Sequence, residues 1–132
     1  MKYLFSFFAA CLLSLNLSAQ IQSGTLIHAQ KLTIYEYNAY TNEYDESEDM
    51  WVSSYFYFEN DFFQVTINGE QEEIYWDYEF SDDYGNDYYR TEDGNIVYLD
   101  YEEEEIQFGE NYNIELDLYE MLIVISAIEL VE

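Results

Sequence analysis

From Thr25 onward the chain runs in short stretches in which apolar and polar residues alternate, separated by clusters of Asn, Asp, Gly and Glu. A period of two is the signature of half-buried β-strands, because successive side chains point to opposite faces. Thr25–Tyr37 predicts a long first strand, or two halves parted by a bulge, and Asn38–Asp49 reads as a polar, acidic loop. Met50, Val52, Ser54, Phe56 and Phe58 then share one face, against Trp51, Ser53, Tyr55 and Tyr57 on the other. Phe62–Ile67 follows, and Asn68-Gly69 is the two-residue signal for a tight hairpin. In the next run Ile74, Trp76, Tyr78 and Phe80 share a face opposite Tyr75, Asp77 and Glu79. Ser81–Asp87 reads as a loop, and Glu92-Asp93-Gly94-Asn95 as a second hairpin turn. Gly109-Glu110-Asn111 predicts another turn, after which Tyr112, Ile114, Leu116 and Leu118 alternate inward.

The last segment, Met121–Val131, fits either helix or strand by length and hydropathy. Its β-branched residues (Ile123, Val124, Ile125, Ile128 and Val131) favour a strand. An uncharged apolar run is an aggregation hazard when exposed, so it is expected in the middle of the sheet, covered on both faces. With no proline, five glycines and no internal repeat, the pattern describes one all-β domain. About eight antiparallel strands form a meander that closes into a small barrel or packs as a sandwich.

The first nineteen residues are of another kind. Lys2, an apolar stretch from Tyr3 to Leu15, and Ala19 before Gln20 follow the order of a secretory signal peptide. The apolar stretch is shorter than the roughly 20 residues a transmembrane helix needs, so no integral membrane segment is expected after cleavage. Leu17 is bulky for the third position before the cut. Cys11 offers an alternative lipidation site, although Phe8 before it fits poorly. The domain thus spans residues 20–132, secreted or periplasmic, and lacks cysteine because Cys11 is the only one. Its fold rests on packing and hydrogen bonds.

Charge changes the picture further. The chain has 29 acidic residues and a formal net charge of −26, one unit more negative without Lys2. Lys31 and Arg90 are then the only fixed cations. Nucleic acids need a cationic footprint, and anionic membrane surfaces would repel such a chain. Acidic chains poor in aromatics are commonly disordered, but 16 Tyr, 9 Phe and 2 Trp supply a core.

Ser18–Gln20, TIYEYNAYTNEY (Thr33–Tyr44) and WVSSYFYFENDFFQVTI (Trp51–Ile67) give the chain a particular style. In this it resembles the small, functionally uncharacterised, Tyr-rich secreted β-proteins of Gram-negative bacteria. The resemblance implies export and an all-β fold, and no activity.

Motifs for chemistry are sparse. His28, the single histidine, lies within a predicted strand and reads as a packed or surface residue. Zinc sites need several His or Cys ligands, and there is no Gly-rich phosphate loop. An EF-hand started at Asp45 fails at its sixth position, Met50, where glycine is required. Looser calcium turns use carboxylates and carbonyls on a bent loop. Asp82, Asp83 and Asp87, with Asn86 around Gly85, are the candidate ligands; the alternative is a turn chosen for its backbone geometry. No other cofactor is implied. Trp51, Tyr55 and Tyr57 are candidates for an aromatic platform facing a protein or glycan partner. The alternative buries both faces of their strand.

Four glutamates, Glu102–Glu105, interrupt the pattern. Like charges about 7 Å apart along a strand cost only roughly 0.6 kcal/mol per pair in water, whereas desolvating one costs far more. They are expected wholly exposed, at a turn or sheet edge, where charge discourages edge-to-edge pairing. The functional expectation is a non-enzymatic binding or interaction module. One alternative is a barrel holding an apolar or aromatic ligand inside; another is a carboxylate-dependent hydrolase.

Overall fold

The computed structural model describes residues 21–131; the expected signal peptide lies outside the described residues. Eight antiparallel strands follow one another in meander order and close into a barrel. They are β1 (Thr25–Asn38), β2 (Glu43–Phe58), β3 (Phe62–Ile67), β4 (Glu70–Ser81), β5 (Asp87–Thr91), β6 (Ile96–Asp100), β7 (Glu105–Asn113) and β8 (Leu118–Leu130). Closure pairs β8 with β1, from Ile27↔Leu130 to Glu36↔Met121, so the sheet has no free edge strand.

Eight strands make an interior just wide enough for side chains to fill. Inward residues meet as direct partners around the wall: Ile27↔Phe56, Phe56↔Val65 and Phe58↔Phe63, Tyr89↔Val97, Leu99↔Ile106 and Ile106↔Ile125. Large rings do most of the filling. Trp76 stacks on Tyr89 with centroids 3.9 Å apart, and Phe63 lies 4.9 Å from Trp76. The residual space among Ile21, Ile27, Phe58, Leu99, Tyr101 and Ile106 is about 10 Å³, too little for any organic ligand.

The hairpin signals act as expected. Asn68 and Gly69 both take positive φ, 53° and 81°, the pair of left-handed residues a type I′ turn demands. Gly94, at φ 86°, donates to the carbonyl of Thr91 in the second hairpin.

Four other expectations are corrected. The acidic stretch Asn38–Asp49 is mostly strand: β2 begins at Glu43, and the connection is the short turn 39–42. The β1–β2 hairpin projects past the core there, so its acidic side chains stay exposed on a strand that carries a register shift opposite Ile34 and Tyr35. Gly109-Glu110-Asn111 lies within β7 and makes no turn. Gly109 is needed because the ring of Tyr119 occupies its side-chain space; a Cβ there would come 2.6 Å from that ring. The reversal falls after Asn113, so Ile114 (85% exposed) and Leu116 point to solvent. In β4 a register shift between Tyr78 and Phe80 turns Phe80 outward, as a bulge does.

The glutamate quartet is the fourth. Glu102 and Glu103 are exposed, but Glu104 is only 9% exposed and Glu105, the first residue of β7, is half-buried. Residues 101–104 form a compact turn with Glu104 at φ 58°, which folds the chain back onto β7, burying Glu104 and partly covering Glu105. Burial accordingly raises the Glu105 carboxyl above its ordinary value.

Met121–Leu130 lies in β8; Met121–Ile125 is paired on both sides, with Ile125 buried between Leu32 and Ile106, and the rest of the strand pairs with β1. Its outer face is covered at Val124 but open at Ala127. At that point the alternation breaks: Ala29 and Leu32 both face the core on β1, as do Ile128 and Ile125 on β8. Ala127 adopts φ 55°, and both strands switch faces together. The register of β1 on β2 shifts at the same level, between Ala29 and Lys31. One result is that Lys31 emerges on the outside, directly opposite Trp51.

Candidate ligand-binding surfaces

With the interior filled, the exposed aromatic side chains lie on the outer face. On β1–β2, Trp51 is 73% and Tyr55 43% exposed; the buried alternative does not hold for this strand. Lys31 Nζ sits 5.6 Å from the centre of the Trp51 ring, within cation–π range, and pairs with Asp49 at 3.5 Å. His28 stacks on Tyr55 at 4.6 Å. Its Nε2 lies 2.7 Å from Ser53 Oγ, and its Nδ1 3.4 Å from Glu129. His28 therefore serves to hold Tyr55 flat against the strand. Tyr57 is only half-buried, but its hydroxyl is committed to Glu59, which also accepts from Ser23. These bonds lower the Glu59 carboxyl and raise the Tyr57 phenol from their ordinary values. The platform is thus Trp51 and Tyr55, with Lys31, His28 and Ser53 as its polar rim.

Ser81–Asp87 does not gather its acids around a common point. Asp82 Oδ1 accepts from the backbone amides of Tyr84 (3.0 Å) and Asn86 (2.9 Å), an Asx-type cap on its own turn. Asp83 is exposed. Asp87 faces inward with no exposed surface, accepting from Ser81 and Tyr101, each at 2.6 Å. Among the described residues, no three or more His, Cys, Asp or Glu side chains are grouped to hold a metal. Asp83 stands in solvent, and Asp82 and Asp87 do visible structural work. Asn86 adds to it, donating to Tyr98 at 2.8 Å and accepting from the Tyr101 amide at 3.0 Å, so the turn is sewn to the end of β6.

A further surface had no signal in the sequence. Between the outer face of β4–β5 and the β7–β8 tip lies an open cleft of about 530 Å³. Phe80, 51% exposed, stacks on Tyr88 at 4.5 Å, and Tyr88 lies 4.5 Å from Tyr98. Across the cleft Tyr112 meets Tyr119 edge-on at 5.3 Å. Arg90 lines the space between, bonded to Glu79 and, at 2.8 Å, to the carbonyl of Gly94. Glu79, foremost, raises the guanidinium pKa still further. Alternation placed Phe80 inside; only the bulge brings it here.

Compared with known proteins, the chain matches no family model, no curated protein and no solved structure.

Proposed function

We propose that the protein is a secreted or periplasmic, non-enzymatic binding module that meets a protein or glycan partner through the Trp51–Tyr55 face of β1–β2. One observation carries this reading: an indole 73% exposed beside a phenol held by His28, on a barrel whose interior has no room for a ligand. Leaving so much aromatic surface in water on an otherwise acidic exterior gains the fold nothing, whereas aromatic anchors contribute strongly to contacts. A ligand inside the barrel would require removal of core rings. A hydrolase would require two acids facing one another across a substrate cleft, and the inward Asp87 is already engaged by two hydroxyls.

Trp51 is its own reporter, because the other tryptophan, Trp76, is 2% exposed. Polysaccharide and protein fractions from the envelope of the producing cell are titrated against the protein, following Trp emission. A fraction that shifts the emission to the blue, with no shift in Trp51→Phe, supports the reading. If no fraction shifts it, or the shift survives Trp51→Phe, the platform is not the contact face.

A further inference from the structure

We infer that the cleft between β4–β5 and the β7–β8 tip is a second binding site, built for a neutral saccharide. The inference stands apart from the Trp51 platform, which occupies β1–β2. Its size, about 530 Å³, falls within the range of small-molecule sites.

Two features show construction. First, the β4 register shifts between Tyr78 and Phe80, so that Phe80 pairs with Tyr88 on the outside. Had alternation continued, Phe80 would sit on the core face with Trp76 and Tyr78. Second, Arg90 is the single arginine of the sequence, and it lines this cleft. Aromatic rings therefore stand on both sides, with hydrogen-bonding groups between them.

The charges select the ligand. Arg90 is answered by Glu79, and Asp117 accepts from the Tyr112 hydroxyl. An anion would have to displace Glu79 and approach a chain of net charge −26. A cation would face Arg90. A neutral polyhydroxylated ring meets neither obstacle: its C–H face packs on Phe80 or Tyr112, while its hydroxyls accept from Arg90 and donate to Asp117 or the Gly94 carbonyl. Planar side chains with two rotatable bonds give such contact at low entropic cost.

The test uses the full secreted chain and hexamers of β-1,4-glucose, β-1,3-glucose, α-1,4-glucose, xylose, mannose and N-acetylglucosamine. Binding is read by saturation-transfer NMR and calorimetry. At least one hexamer should bind at micromolar to millimolar affinity. Phe80→Ala and Tyr112→Ala should each weaken it about tenfold, the scale of one aromatic contact, while Tyr84→Ala, at another exposed tyrosine, should not. Phe80 is half-exposed and touches the fold through its stack on Tyr88, so its variant should stay folded, with binding read below its own melting temperature. Absence of binding by every hexamer at millimolar concentration overturns the proposal. So does binding that survives Phe80→Ala but is lost in Trp51→Ala.

Discussion

The carboxylate of Asp87 and the hydroxyl of Tyr101 meet at 2.6 Å inside the barrel wall, where Asp87 exposes none of its surface. Ser81 supplies the other hydrogen bond. Burial outweighs these two neutral donors and, with Asp82 adding repulsion, pushes the Asp87 carboxyl up to about 6.

A pH dependence follows from that shift. The folded carboxyl holds its proton more tightly than an unfolded aspartate near 3.8. The folded state thus binds more protons between those values, and stability falls as pH rises from about 4 to about 6. The contribution is full below the unfolded value and gone above the folded one. General charging of the surface acts in the same direction, so the specific test is Asp87→Asn, which retains an acceptor for Tyr101. Melting temperatures between pH 4 and 7.5 should fall less steeply in the variant. Parallel curves would show that Asp87 contributes nothing to the slope.

Gly109 and Tyr119 give a second expectation. The ring that fills the space above Gly109 is anchored at its far end, where the Tyr119 hydroxyl accepts from the Ile96 amide at 3.0 Å. It cannot swing aside freely. Gly109→Ala should therefore destabilise the fold by about 1–3 kcal/mol through overpacking. Combined with Tyr119→Ala, the cost should be well below the sum of the two single changes. Denaturant midpoints measure both, and simple additivity would remove Tyr119 as the cause.

These two pairs show what the sequence made legible. Strand number, meander order and the Asn68-Gly69 turn follow from local pattern and turn chemistry, which act within a few residues. Phe80, Gly109 and the face switch at Ala127 depend on partners far along the chain, and a shift of one residue reverses every side chain beyond it. Exposure of Trp51 and Tyr55 was readable as one of two alternatives, because alternation set their face but could not say what covered it. The Arg90 cleft was hidden altogether, since its walls come from segments about 30 residues apart and a bulge in β4 is what turns Phe80 into it. Acidic residues misled twice. They suggested a loop at Asn38–Asp49 where a projecting hairpin holds solvated acids on paired strands, and full exposure at Glu104, where the turn folds inward.

Ile125 tests the closure of the barrel. It is 2% exposed and pairs with Leu32 on one side and Ile106 on the other. Ile125→Asp would bury a charge at the seam where β8 joins the first strand, and should abolish soluble folded protein. Ile125→Val, which keeps the shape, should cost only about 0.5–1.5 kcal/mol. An Asp variant with an unchanged melting curve would mean that the seam does not close as described.

Cations should act on this protein through its net charge. A folded surface built from a chain of net charge −26 repels itself more than the expanded unfolded chain does. Screening relieves that repulsion without any site, since the Debye length shrinks from about 10 Å at 0.1 M to about 3 Å at 1 M. A specific calcium loop would behave differently. Binding to the native state alone adds RT ln(1 + [L]/Kd), so stability would climb at low calcium concentration. The geometry favours screening: Asp82 caps its own turn, Asp83 stands in solvent and Asp87 faces the core. Melting temperature should therefore rise alike with calcium and magnesium at matched ionic strength, with sodium following at higher concentration. A calcium-only rise at micromolar levels, lost when Asp82, Asp83 and Asp87 become Asn, would make Ser81–Asp87 a metal loop after all.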